Sequence, residues 1–386
     1  MALCAEDLAV DRELADIAQS FRFLLDVTPV NVGDARRHFL SSTVATPEFE
    51  YRVLEDDPAV ITKRLDAVMV EAIADPTLSH LLQAKRREVE LQLEMLRARG
   101  TDDFLSLSIE LYGTVSPALL ERAGVLLGDL GAPPRAAGPW LDAEGFARRA
   151  QAELDRYRAL EPDLAVHVEI RDDCSGLMVS NGDLLIPSVL RVAEGRVDAL
   201  LQHEIGTHIV TYVNGSRQPL RVLASGLAGY EETQEGLAVL AEYLVGGLTA
   251  SRLRQIAARV VAVHHMIDGQ SFRTVHCTLV DAGFSSTEAF SIVMRVYRSG
   301  GLTKDAVYLR GLSDLAAHLG AGRSIDVLWL GKMALSSAPL IEDLWQRGVL
   351  VGPLIRPRYL DDPAVQARIV GLEHTTSLAD LVRSSA

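Results

Sequence analysis

The 386-residue chain is poor in lysine, in cysteine and in long apolar runs, and each shortage excludes something. No stretch approaches the ~18 consecutive apolar residues that a membrane span requires. The opening MALCAEDLAVDREL carries acids where a secretory signal needs an apolar segment, so a cytoplasmic protein with no membrane partner is expected. The three cysteines, Cys4, Cys174 and Cys277, are odd in number and lack C-x-x-C spacing, which suits a reducing compartment and no structural disulfide. Positive charge is scarce as well: 38 Lys and Arg against 52 Asp and Glu leave a net −14, which argues against nucleic acid as the main partner. Only four of the cations are lysines, Lys63, Lys85, Lys304 and Lys332, so solvation falls mainly to arginine and a lysine inside a motif stands out.

What is present describes a folded protein: 48% hydrophobic and 23% charged residues, in a chain long enough for two or three packed units or one large one. The first hundred residues read as helices. LADIAQSFRFLLDV, PAVITKRLDAVMVEAIADP and HLLQAKRREVELQLEMLRARG carry apolar residues at helical spacing, the last stopping at Gly100. GDLGAPPRAAGPW, residues 128–140, collects Gly and Pro and marks a boundary between an N-terminal helical portion (1–138) and the remainder (139–386), which are free to pack as one unit. AVHVEIRDD then alternates, and Asn181-Gly182 between two apolar runs predicts a hairpin, the one sheet expected. From Val189 the pattern returns to helix, through RVDALLQHEIGTHIVTYV and on to SIDVLWLGKMALS. The fold class is α+β and predominantly α-helical.

The strongest chemical signal is His203-Glu204-Ile205-Gly206-Thr207-His208. In the common zinc-protease pattern H-E-x-x-H the histidines are four apart, leave one helix face, and stand beside a Glu able to activate a water on the metal. Here they are five apart. At about 100° per residue, four positions return the second side chain to within about 40° of the first, whereas five leave it about 140° away. A regular helix would not deliver both imidazoles to one ion. Two solutions exist: a π-bulge that absorbs the extra residue, or a helix that ends near Gly206 and frees His208 to swing back. The plainer alternative is a core His203 beside a surface Glu204. An apolar helix before the motif and an acid-bearing helix shortly after it favour the metal.

Two histidines do not hold zinc, so a third ligand should follow, with the fourth position left for water. Glu231, Glu232 and Glu235 open the next apolar helix. Glu235 is the best placed of the three, in the first turn beside the face formed by Leu237, Ala238, Leu240, Ala241 and Leu244, while Glu231 is free to be a solvated loop acid.

HEIGTH, followed by Asn214-Gly215, Gln218-Pro219-Leu220 and TQEGLA, resembles the QEGLA-motif family. Its bacterial members carry the label flavohemoglobin expression-modulating, and its eukaryotic relatives include the microtubule-associated tyrosine carboxypeptidase. The similarity extends to RVYRSGGLTKDAVYLRG, residues 295–311, and more weakly to the N-terminal helices, the hairpin and GPLIRPRYL. The resemblance implies a zinc-peptidase core in which His203, His208 and Glu235 bind one Zn2+ and Glu204 is the catalytic carboxylate. The eukaryotic members remove a C-terminal tyrosine from tubulin, so it further implies a carboxypeptidase whose partner is a peptide or protein C-terminus, with any aromatic preference carried from the relatives.

A carboxypeptidase needs a fixed cation for the terminal carboxylate of its substrate. Arg295, Arg298, Lys304 and Arg310 in the 295–311 string are the candidates, with Tyr308 as a donor to the oxyanion and Asn214 as a contact to substrate backbone. Structural readings compete: arginines at a helix C-terminus, a Lys304-Asp305 loop ion pair, a buried Tyr308 with one partner, an Asn214 that caps a turn. Between Leu201 and Leu312 ten Lys or Arg face nine acids, a near-neutral segment compatible with admitting a carboxylate. Two other functions share these residues: a regulatory or binding protein with a structural metal, and a metal-dependent amidase for a non-peptide substrate. Glu204 speaks against the first, because a structural site has no need of an acid next to its first ligand. The hairpin also offers an edge strand on which an extended peptide could lie.

Overall fold

Asp57, Asp75 and Ser116 each precede a proline, and each accepts a hydrogen bond from a first-turn N–H while the proline fills a position whose own N–H would be unpaired. These caps start the helices Pro58–Asp66, Pro76–Arg97 and Pro117–Asp129 in the computed structural model, which describes residues 3–131, 138–174, 176–180, 182–375 and 377–383. The architecture is mainly helical with two small sheets. Part of the Gly/Pro-rich boundary stretch, residues 132–137, lies outside the described residues. No helix among the described residues is long and apolar enough to cross a membrane.

Three expected helices are shorter than the apolar spacing suggests. The first runs Ala5–Gln19 and stops where the Ser20 hydroxyl donates to the Ile17 carbonyl; a separate turn, Phe23–Asp26, follows. The second ends at Asp66 and gives way to a 3₁₀ turn at Val70–Ala72. SIDVLWLGKMALS is not an α-helix at all but two 3₁₀ turns, Asp326–Leu330 and Leu335–Ser337. Between them the backbone is claimed by a neighbour: Lys332 N–H donates to the Leu223 carbonyl, and Leu227 N–H to that of Lys332. Tertiary pairing has overridden local propensity there.

The expected hairpin is present: β3 (Met178–Ser180) pairs antiparallel with β4 (Asp183–Pro187), although Asn181 itself lies outside the described residues. The alternating AVHVEIRDD supplies β2 (Val168–Arg171), which joins β4 in parallel, giving the order β2-β4-β3. A second sheet went unread. β1 (Trp140–Asp142) pairs antiparallel with β5 (Arg191–Ala193), the latter in a stretch expected to be helical. Three-residue strands carry too little periodicity to separate from a loop.

Buried apolar residues from both halves of the chain form one continuous core. Polar ties reinforce it. Asp11, fully buried, accepts from the Arg221 and Val222 amides at 2.6 and 3.1 Å. Ser299, the only non-glycine residue with positive φ (59°) among those described, is held by Tyr51 Oη and the Val27 carbonyl. Val27 and Tyr51 of the N-terminal part are thereby tied to the Arg298 loop.

The helix Tyr230–Leu244, which carries QEGLA, packs along Val307–Gly320. At the crossing a Cβ on Gly236 would lie 2.4 Å from the Gly311 carbonyl carbon, and one on Gly311 2.0 Å from the Glu232 carbonyl oxygen. Both glycines are required for backbones this close. Their contact fixes Glu235, one residue before Gly236, near Lys304 of the 3₁₀ turn Thr303–Ala306 and Tyr308 at the start of the helix that follows.

Candidate active site

The helix that begins at Val197 becomes a π-helix at Glu204–Ile209 and returns to α at Val210. Of the two solutions open to H-E-x-x-x-H, the chain takes the wide turn. Thr207 supports it, its hydroxyl donating to the carbonyl of Gln202 five residues earlier. The extra residue is absorbed, and the His203 and His208 rings come to 5.3 Å between centroids. Glu235 Oε2 lies 3.8 Å from His203 Nε2 and 3.9 Å from His208 Nε2. One ligand atom from each of the three residues falls within 4.8 Å of the others, the one such group of His, Cys, Asp and Glu among the described residues.

Behind His203 stands Glu242, whose Oε1 lies 2.9 Å from Nδ1. A carboxylate only accepts, so Nδ1 carries a hydrogen, and Nε2 is the ring atom turned toward Glu235. Glu242 is fully buried and is itself held by Arg196 at 2.5 Å and Arg252 at 3.2 Å. The sequence reading missed this group. The available signal was spacing: Glu242 follows Glu235 by seven residues, two helical turns, and so shares its face.

Glu204 is buried, with Oε1 4.0 Å from His203 Nε2, and burial pushes its carboxyl up to about 7. Burial lowers His208 to about 4. Burial also favours a neutral Glu235, but the charge of Lys304 and the two histidines outweighs it and holds that carboxyl down to about 2. Glu235 divides its oxygens, Oε2 toward the imidazoles and Oε1 toward Lys304 Nζ at 3.4 Å. Lys304 is 2% exposed in a 3₁₀ turn, and its second partner is Glu231 at 3.5 Å. Glu231 is therefore no solvated loop acid. Nor is Lys304 paired with its neighbour Asp305, which instead takes a two-bond contact from Arg295 at 2.6 and 2.8 Å, with Arg259 at 3.8 Å.

Arg298 caps the helix Ser286–Tyr297 rather than continuing it, so it does not share a helix side with Arg295. It is 5% exposed; Nη1 donates to Thr28 Oγ1 at 2.7 Å and the buried Nε has no partner. Burial lowers its pKa to about 10. The Tyr308 ring lies beneath Arg259, Lys304 and Arg252, at 4.8, 5.7 and 5.9 Å from its centroid.

His203, Glu204, His208, Glu235, Arg295, Arg298, Lys304 and Tyr308 line one cavity of about 600 Å³. Two expected substrate contacts are elsewhere. Asn214, fully buried, donates to the Trp329 and Ile355 carbonyls and accepts from Ile355 N–H, so its amide is consumed in holding loops together. Arg310 pairs with Glu232 and with the carbonyls of Tyr112 and Thr114, outside the cavity. Gln218 is likewise structural, bonded to Val351 through both amide atoms. The N-terminal part supplies cavity wall through Leu24, Leu25, Thr28 and Arg52, contributions that no motif announces. Lys332 was also overlooked: it lines the cavity over the rings of Tyr212 and Tyr230, at 5.3 and 5.8 Å, with no ion-pair partner among the described residues. Burial, aided by Lys85, lowers its pKa to about 8.

Comparison with known proteins gives these residues a context. The chain is 27% identical over 219 residues to microtubule-associated tyrosine carboxypeptidase 1 of Mus musculus and 27% over 221 residues to that of Homo sapiens, in each case across 50% of this chain and 45% of the relative. The protein of Rattus norvegicus is 28% identical over 207 residues, 47% of this chain and 43% of the relative. The chain thus spans less than half the length of these curated relatives. A crystal structure of a putative lipoprotein from Colwellia psychrerythraea superimposes with a TM-score of 0.45 at 14% identity, over 74% of this chain and 66% of that one. The profile of the microtubule-associated tyrosine carboxypeptidase family matches residues 36–375, and the chain belongs to that family.

Proposed function

We infer that the protein is a zinc metallopeptidase of carboxypeptidase type, which removes the C-terminal residue of a peptide or protein. The observation that carries this reading is the convergence of His203, His208 and Glu235 on one point of a cavity that also holds Glu204 and a bank of fixed cations. The donor chemistry fits zinc. Two imidazoles and a carboxylate are a hydrolytic ligand set that leaves a position open, whereas a structural site closes with four protein ligands. His203, oriented by Glu242, has the support that ligating histidines require.

A bound zinc would supply Lewis acidity toward the scissile carbonyl and toward an attacking water. Glu204 takes the proton of that water and returns it to the leaving amine; its burial keeps both protonation states accessible near neutrality. Arg298, which has no ion-pair partner among the described residues, receives the substrate's terminal carboxylate. Lys304 is less free, because Glu231 and Glu235 already share its charge; it fixes Glu235. Tyr308 donates to the oxyanion. A preference for a C-terminal tyrosine, carried by the relatives' name, belongs to the same reading.

Mass spectrometry of peptides varied at the last residue, each with a free and an amidated C-terminus, tests the assignment. Loss of a single residue from the free acids alone is expected. Internal cleavage, or equal cleavage of the amides, would overturn the carboxypeptidase assignment.

A further inference from the structure

The hairpin has no part in the chemistry above, yet its outer strand runs along the same cavity. β3 is the edge strand of the order β2-β4-β3, and Leu177, Met178 and Val179 line the cavity together with His203, Glu204 and His208. The register pairs Ser180 with Asp183, Val179 with Leu184 and Met178 with Leu185. Leu184 N–H donates to the His167 carbonyl at 2.9 Å, on the side away from β3, so Ser180 and Asp183 are a pair that face each other through their backbone groups. An antiparallel ladder alternates, which makes Val179 and Leu184 the pair whose N–H and C=O turn away from each other. The Val179 amide and carbonyl therefore face outward. No hydrogen bond outside the ladder reaches Val179 among the described residues. The edge is also unguarded. Natural sheets blunt such edges with Lys, Pro or other charges, and Met178, Val179 and Ser180 include none.

We propose that β3 is a peptide-backbone subsite: an extended substrate chain adds to the sheet as a further strand, exchanging hydrogen bonds with the Val179 N–H and C=O, and is thereby laid across the cavity toward Glu204. The inference rests on the peptidase reading and deepens it. The occupant is an extended polypeptide, because a strand edge recognises the repeating donors and acceptors of a main chain whatever the side chains, and a compact non-peptide amide would leave them unpaired.

Proline at 179 removes the outward donor while sparing the bonds to β4, a placement edge strands tolerate. The zinc-loaded protein, Val179→Pro and Val179→Ala are compared on one peptide and on analogues methylated at single backbone nitrogens. Expected is a kcat/KM roughly 3- to 10-fold lower for Val179→Pro than for Val179→Ala, and one sensitive nitrogen away from the scissile amide for the wild type. Should Val179→Pro fail to fold, the methylation scan on the wild type decides alone. Equal rates for every analogue methylated away from the scissile amide, or for folded Val179→Pro and Val179→Ala, overturn the subsite and leave the peptidase reading standing. Cleavage of no peptide by the wild type overturns both.

Discussion

Two walls of one cavity hold their charges in opposite ways. On the imidazole wall, His203, His208 and Glu235 point inward to a common spot, and the charge behind them is a closed set, Glu242 between Arg196 and Arg252, which faces away from the cavity. On the cation wall the compensation is internal and incomplete. Asp305 takes Arg295 and Arg259, Glu231 and Glu235 take Lys304, and Arg298 is left with a hydroxyl. On the function proposed above, the difference gives each wall its task. A wall that binds an ion must orient lone pairs, so its supporting charges are spent on geometry; a wall that receives a carboxylate must keep a cation unspent.

The largest effect should come from the pillar of the cation wall. Asp305→Ala leaves Arg259 and Arg295 without their buried partner and should cost about 3–5 kcal/mol in urea unfolding. A cost under about 1 kcal/mol would mean that the wall does not depend on this pair. On the other wall, Glu242→Gln should weaken zinc binding roughly 10- to 100-fold in chelator competition, through loss of the hold on His203. Unchanged affinity would reduce Glu242 to an ion pair with no role at the site. Arg298→Met should lower kcat/KM about tenfold for peptides with a free C-terminus, chiefly through KM, and leave the zinc content at one per chain. If Lys304→Met showed that KM effect and Arg298→Met did not, the unspent cation would have been misidentified.

The smallest effect concerns Lys332, at the margin of both walls. Its pKa in the folded protein, about 8, lies below the ordinary 10.5. The penalty for burying its charge is therefore complete below pH 8 and fades as the pH rises to 10.5. Lys332→Met should be more stable than wild type at pH 7, by on the order of 1 kcal/mol, with the gap narrowing by pH 10. A gap that widens with pH would reverse the sign and contradict the burial argument.

The two walls were also unequally legible. That His203, Glu204, His208 and Glu235 come together could be read because each helix carries its own residues within a few positions, and the five-residue spacing forced the question that the π-helix answers. The cation wall could be read only as a list. Arg295, Arg298, Lys304 and Arg310 lie in one string, but which of them meets an acid is decided by the packing of several elements, so Arg310 turned out to be spent on Glu232, while Arg298 bonds to the Thr28 hydroxyl and has no ion-pair partner among the described residues. Asn214 next to the motif proved to be a loop tie, because its partners Trp329 and Ile355 lie more than a hundred residues on. The same rule covers the fold. Long periodic helices and the Asn-Gly hairpin follow from local pattern, whereas the β1–β5 pair and the 3₁₀ turns around Lys332 exist only through distant backbone partners.

The central claim is that Glu204 does chemistry beside a metal it does not hold. The most direct test measures zinc content and C-terminal cleavage in parallel for wild type and Glu204→Gln. The account predicts one zinc per chain in both and a loss of cleavage by about 10²-fold or more in the variant. Cleavage by Glu204→Gln at the wild-type rate, or a wild type that cleaves with no metal bound, would contradict it.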